Sequence, residues 1–277
     1  MDAPDTLALR NPHAALAVFE TRPEDLLAVR LPAKGAGAAW SELAAGAAAC
    51  GIPVHRAAPS RDEGPPSRGK DGPPRGKHAH GKHGGGKPAH KSGREGGAEA
   101  DVRPREGVYP DELFADAATR DHGRGLWLAI DQVQDPHNLG ALFRSAAFYG
   151  VQGVLLTSNR TAPLSAVAYD TASGGVEHVP FAHATNLARE LERARDAGVW
   201  ILGSDEDAER SVDQVDLERP WLLVLGNEEK GLRRLSREGC DEICRLPSIG
   251  ALASLNVSVA GALLMSSLRR GHPDLRV

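Results

Sequence analysis

The chain has 277 residues, 41% hydrophobic and 25% charged, which excludes a wholly disordered or fibrous protein and leaves room for one large or two modest domains. Aromatic residues are only 4%, against a reader that stacks successive bases on aromatic platforms, and no apolar run approaches the roughly 20 residues a bilayer requires. The net charge of −4 is unevenly spread: residues 64–98 hold eight Lys and Arg against Asp71 and Glu95, a local +6, so the rest carries −10.

In chain order, residues 7–57 read as a small α/β unit. A helix is expected around Pro12 to Thr21, a strand at Leu26 to Leu31, a helix at Trp40 to Cys50 and a strand at Ile52 to Arg56. Residues 64–98 are rich in Gly, Pro, Lys and His and lack Val, Ile, Leu, Phe, Tyr and Trp. Such a segment cannot offset the entropy of ordering, so a disordered basic arm is expected. Its GxxxxGK run, Gly76 to Lys82, is no phosphate loop: His83 stands where Ser or Thr would hold magnesium, and no strand precedes it. Its four histidines lack ligand spacing, and no metal site is expected. Asp101 to Arg103 is expected to return one more strand to the first unit, making the arm an insertion within it. The division is then residues 1–63 and 99–124 for the first domain and its connector, 64–98 for the arm and 125–277 for a second domain.

From Leu126 the runs LWLAI, VQGVLL, VWILG, WLLVL and EICRL alternate with helices. These are expected at Asn138 to Tyr149, Thr185 to Asp196, near Leu232 to Glu238, and from Ser254 to Arg269. The alternation implies an α/β fold with a mostly parallel sheet covered by helices on both faces, whose ligands bind beyond the carboxyl ends of the strands. Three segments rich in Gly, Asn, Ser and acids each follow a strand: Asp131 to Leu139, Gly226 to Gly231 and Pro247 to Asn256. They are expected to converge on one cleft. No GxGxxG, GxSxG or ligand-spaced His/Cys set appears, so dehydrogenase, hydrolase and zinc chemistry are unsupported. Cys50, Cys240 and Cys244 are odd in number and form no CxxC, as expected of reduced thiols. The N-terminus MDAPDTLALR has no apolar core of a secretory signal, and a cytoplasmic location is expected.

DPHNLGALFRSAAFYGV, VLGNEEKGL and LPSIGALASLNVSVAGALL resemble, in order, the three motifs of the SpoU (TrmH-like) RNA 2′-O-ribose methyltransferases of the SPOUT superfamily, over about residues 126–270. Residues 9–57 are more weakly similar to the small RNA-binding domain of members that methylate a guanosine of large-subunit rRNA. The resemblance implies S-adenosylmethionine as cofactor, RNA as partner, a homodimer, and a deep trefoil knot in the C-terminal domain. Position by position, it implies catalytic roles for Asn138, Arg144, Glu228, Ser254 and Asn256. Cofactor contacts fall on Ser204, Leu225, Gly226, Leu246, Pro247 and Leu255, with Gly226 allowing close backbone approach and Glu228 holding its neighbours in place. Glu229 stands where the family commonly has a small residue.

Capping offers a plainer account of some of these residues. Asn138 is expected to cap its helix, and Ser254 and Asn256 are capping types as well. Asn138 and Arg144, six residues apart at 100° each, point about 120° apart and need not touch. The family's matching arginine is a proposed proton acceptor; because a guanidinium keeps its proton in proteins, Arg144 is better suited to clamping phosphate and stabilising negative oxygen. Two alternatives stay open: a tRNA 2′-O-methyltransferase of the same class, and a non-catalytic RNA-binding or ribosome-assembly protein, which would have lost Asn138, Arg144, Glu228 or Asn256.

Overall fold

Strand Leu7–Leu9 (β1) buries alternate side chains, and Asn11 then caps helix Pro12–Thr21 (α1), whose proline occupies the first turn, where its missing N–H costs nothing. Strand Leu26–Leu31 (β2), helix Ala38–Ala49 (α2), strand Val54–Arg56 (β3) and strand Glu99–Val102 (β4) complete the small domain. The computed structural model describes residues 6–58, 97–252 and 254–274, so the expected arm lies outside the described residues except for Gly97 and Ala98. The sheet order is β1-β4-β2-β3, with β4 antiparallel to both β1 and β2 and β3 parallel to β2. The strand expected at Asp101 to Arg103 therefore exists, two residues earlier, and it is an inner strand. Residues 59–96 are inserted between β3 and β4. Leu9, Val18, Val29, Leu43 and Val102 are fully buried between this sheet and its helices.

A short helix, Pro110–Leu113 (α3), leads into the second domain. Its elements are strand Leu126–Ile130 (β5), helix Pro136–Phe148 (α4), strand Gly153–Thr157 (β6), helices Ala166–Ala172 (α5) and Gly175–His178 (α6), and strand Phe181–Ala184 (β7). Helix Leu187–Asp196 (α7), strands Trp200–Ser204 (β8), Arg210–Ser211 (β9) and Trp221–Leu225 (β10), helix Arg234–Glu238 (α8), strand Glu242–Arg245 (β11) and helix Val257–Leu268 (α9) follow. The seven strands are ordered β7-β6-β5-β10-β8-β11-β9, and every pairing is parallel. All residues of β5, β6 and β10 are buried, which is why they read as unbroken apolar runs rather than alternating ones. One core cluster includes Leu128, Ile130, Leu142 and Leu264, and a second includes Trp127, Ala129, Leu191 and Ile201. Alternate residues of β5 thus feed two different cores.

From β5 the chain first builds outward to β7, then crosses to β8 and returns to place β10 beside β5. The carboxyl ends of β5 and β10 meet at this reversal, where Asp131 N–H donates to Leu225 O at 2.9 Å. One expectation is corrected. Asp135 caps α4, its side chain accepting His137 N–H at 2.8 Å, so Asn138 lies inside the first turn. Strands β1, β7 and β9 and helices α3, α5 and α6 were not expected. Among the described residues no helix is long and apolar enough to cross a membrane, and all three cysteines are free. Burial pushes the Cys240 and Cys244 thiols up to about 12, so neither is a ready thiolate.

Candidate active site

The loops after β8, β10 and β11 enclose a cleft of about 400 Å³, within the roughly 300–1,000 Å³ usual for small-molecule sites. Ser204, Leu225, Gly226, Leu246, Pro247 and Leu255 all line it, and Glu228 and Ser254 stand beside them. Leu225 is buried and Leu246 half-buried, giving an apolar floor, while Asp205, Glu206, Asp207 and Glu229 make an acidic rim. The glycine at 226 has a steric reason other than access for a ligand. A Cβ there would lie 2.2 Å from the Gly231 carbonyl carbon and 2.5 Å from Leu232 N. The loop closes on itself at that point, Asn227 and Gly231 exchanging backbone hydrogen bonds of 3.0 and 2.9 Å.

The loop after β5 is joined to the other two through side chains. The Glu228 carboxylate accepts Gln134 N–H at 3.2 Å, Asp135 N–H at 3.3 Å and Asn138 Nδ2 at 3.3 Å. Asn138 Oδ1 in turn accepts Asn256 Nδ2 at 3.0 Å, and Asn256 Oδ1 accepts Ser258 N–H at 2.9 Å, capping α9. Asn256 therefore caps a helix and ties two loops with the same side chain. Arg144 is not part of this set. It is exposed, does not line the cleft, and has no ion-pair partner among the described residues; its Nη1 donates to Ser173 Oγ at 3.4 Å.

Sequence reasoning missed Asp131. Placed directly after β5 with only 1% of its side chain exposed, it accepts Arg233 Nη2 at 2.8 Å, Arg233 Nε at 2.9 Å and Ser236 Oγ at 2.7 Å. These bonds fix the far end of the loop that carries Gly226 and Glu228. Its only signal in the sequence is an acid at the end of a buried strand, which many loops share. Asp121, His272 and Asp274 bring ligand-type atoms within 4.8 Å of one another, but none lines the cleft and Asp121 is already bound by Arg269 Nη1 at 2.6 Å.

Residues 125–266 match the SpoU rRNA Methylase family, and this span contains all three loops and the whole of the cleft. The chain belongs to that family. The 23S rRNA (guanosine-2′-O-)-methyltransferase RlmB of Pseudomonas aeruginosa is 43% identical over 178 residues, covering 64% of this chain and 71% of RlmB. An uncharacterized tRNA/rRNA methyltransferase of Mycolicibacterium vanbaalenii is 41% identical over 179 residues, covering 65% of this chain and 57% of that protein. The likeness in fold extends beyond residues 125–266. The SpoU methyltransferase AviRb from Streptomyces viridochromogenes, crystallised with AdoMet, superposes with a TM-score of 0.68 at 18% identity over 98% of this chain and 92% of that one.

Proposed function

We infer that this SpoU-family chain transfers a methyl group from S-adenosylmethionine to the 2′-hydroxyl of a guanosine in large-subunit rRNA. The observation that carries this reading is the joining of the three motif loops by Glu228, Asn138 and Asn256 beside a cleft of cofactor size. The 43% identity to a 23S rRNA guanosine methyltransferase supports the substrate.

The cleft's chemistry fits the cofactor. Leu225, Leu246 and Leu255 present apolar surface to an adenine, the Ser204 hydroxyl and the loop backbone offer polar contacts, and the acidic rim suits a ligand with positive sulfonium and ammonium groups. When bound, S-adenosylmethionine supplies a methyl group activated by a cationic sulfur. The chain's task is then to hold and orient. Glu228, Asn138 and Asn256 keep the three loops in register, and Ser254 is placed to contact bound groups. Arg144, with no ion-pair partner among the described residues, binds substrate phosphate and stabilises negative charge on the reacting oxygen. The C-terminal trefoil knot and the homodimer belong to the same reading. For the dimer, Phe148 of α4 and Val259 and Leu263 of α9 are 81%, 48% and 46% exposed on two helices that pack together, apolar side chains that a second copy of the chain could cover.

Mapping 2′-O-methylation across total RNA from a strain lacking the gene and from its parent tests the reading. Loss at one guanosine of large-subunit rRNA is expected. Loss confined to tRNA overturns the substrate, and an unchanged map overturns the activity.

A further inference from the structure

The two domains meet at the turn Ser173–Gly174, between α5 and α6, and at Gly175, the first residue of α6. On one side lies α1 of the small domain: a Cβ on Gly174 would come 2.9 Å from Ala17 Cβ and 3.4 Å from His13 O. On the other lies α4: a Cβ on Gly175 would come 2.6 Å from Phe143 O and 2.9 Å from Arg144 N. The turn is wedged between the small domain and the stretch of α4 that bears Arg144.

Ser173 joins the two sides chemically. Its Oγ accepts Asn11 Nδ2 from the small domain at 2.8 Å and Arg144 Nη1 from α4 at 3.4 Å. Asn11 is itself fixed, its Nδ2 also reaching Asp170 O at 2.8 Å and its backbone N–H reaching Asp170 Oδ1 at 2.9 Å. Arg10 N–H adds a third bond to Asp170, reaching Oδ1 at 2.9 Å. Ser173 adopts φ 49°, ψ 42°, the left-handed region that favours glycine, and a glycine follows it. A serine kept in a conformation that glycine would hold with less strain directs attention to its hydroxyl. A hydroxyl is also the suitable contact for an arginine that must remain available to an anion, because it orients the guanidinium without cancelling its charge.

We propose that Ser173 is a positioning residue through which Asn11 of the small domain sets the Arg144 guanidinium, so that docking of the small domain prepares the arginine for substrate phosphate. The inference rests on the reading of Arg144 given above. It makes the small domain part of the turnover machinery as well as a substrate tether.

The test uses the full chain, in vitro transcribed large-subunit rRNA and radiolabelled S-adenosylmethionine. Ser173→Gly removes the hydroxyl while easing the backbone. Asn11→Ser keeps the cap on α1 but loses the Nδ2 donor. Each is expected to lower kcat by roughly 5- to 20-fold, as small misplacements of a charge-stabilising group do. Cofactor Kd should stay within about twofold, and the melting temperature of Ser173→Gly should hold or rise. The double variant should be no slower than the slower single, the mark of one shared pathway. Ser173→Asn, which tolerates the left-handed conformation and restores an acceptor, should recover part of the loss. Wild-type kcat in both single variants, or losses that multiply in the double, overturns the coupling. Arg144→Ala separates the two levels: if it is inactive while the single variants are normal, only the coupling fails, and if it turns over normally, the reading of Arg144 fails with it.

Discussion

The Asp131–Arg233 pair is asymmetric, and the asymmetry predicts an unusual stability series. The aspartate side chain is 1% exposed and the arginine 45%. Arg233→Ala therefore strands a buried carboxylate with Ser236 as its remaining side-chain donor. Breaking a buried pair in this way costs about 3–5 kcal/mol, and the lower end applies because Ser236 stays bonded. Asp131→Ala removes the charge itself, Arg233 turns to water, and the main cost is an unpaired Ser236 hydroxyl, about 1–2 kcal/mol. Adding Asp131→Ala to Arg233→Ala should thus restore stability to a damaged protein. At about 2–4 °C per kcal/mol for a domain of this size, Arg233→Ala should melt about 6–12 °C below wild type, with the double variant several degrees above it. Thermal unfolding followed by circular dichroism measures all four proteins. An Arg233→Ala variant that melts with wild type, or a double variant that melts below Arg233→Ala, refutes the burial argument.

Asn256→Ala should lose about 1 kcal/mol with its helix cap and most turnover with its bond to Asn138, whereas Asn256→Ser should restore the melting temperature and leave turnover low. Burial raises the Asp170 carboxyl above the ordinary carboxylate range, against the lowering effect of the Asn11 and Arg10 N–H groups. The folded state then holds this proton more tightly than the unfolded state, so stability falls as pH rises from the ordinary value through the raised one; Asp170→Asn should remove that component from a plot of melting temperature against pH. Deleting residues 64–96, which hold eight Lys and Arg, should leave melting and cofactor affinity unchanged and make the slope of log RNA affinity against log salt shallower by up to about 6. Equal slopes in a fluorescence titration would reduce the segment to a spacer.

The parallel sheet was legible because β5, β6 and β10 are buried on both faces and so appear as continuous apolar runs. Strand β7, FAHA, was not, since four residues with two alanines and a histidine give no such run. The convergence of the three polar loops followed from their positions after strands, but which side chains would join them did not. The sequence pattern could have assigned the α4 cap correctly: Asp135 followed by Pro136 is a stronger start signal than Asn138. Asp131 and Ser173 gave no distinguishing local signal, because a single acid after a strand and a serine before Gly-Gly acquire their meaning only from partners about 100 and 160 residues away in the chain. The inner position of β4 was hidden for the same reason: local pattern reports that a strand exists, not which strands flank it.

That position has a consequence for the chain's covalent continuity. Since β4 follows the insertion and pairs with both β1 and β2, a backbone break anywhere in residues 59–96 leaves β1, α1, β2, α2 and β3 on one fragment and the strand that binds them on the other. The two pieces would remain attached by the β4 ladders and by the Arg22 to Glu177 contact, in which Arg22 Nε and Nη2 donate to a carboxylate with 1% of its side chain exposed. The small domain is in this sense already a split protein, whose halves recognise each other by strand complementation rather than by the peptide that links them.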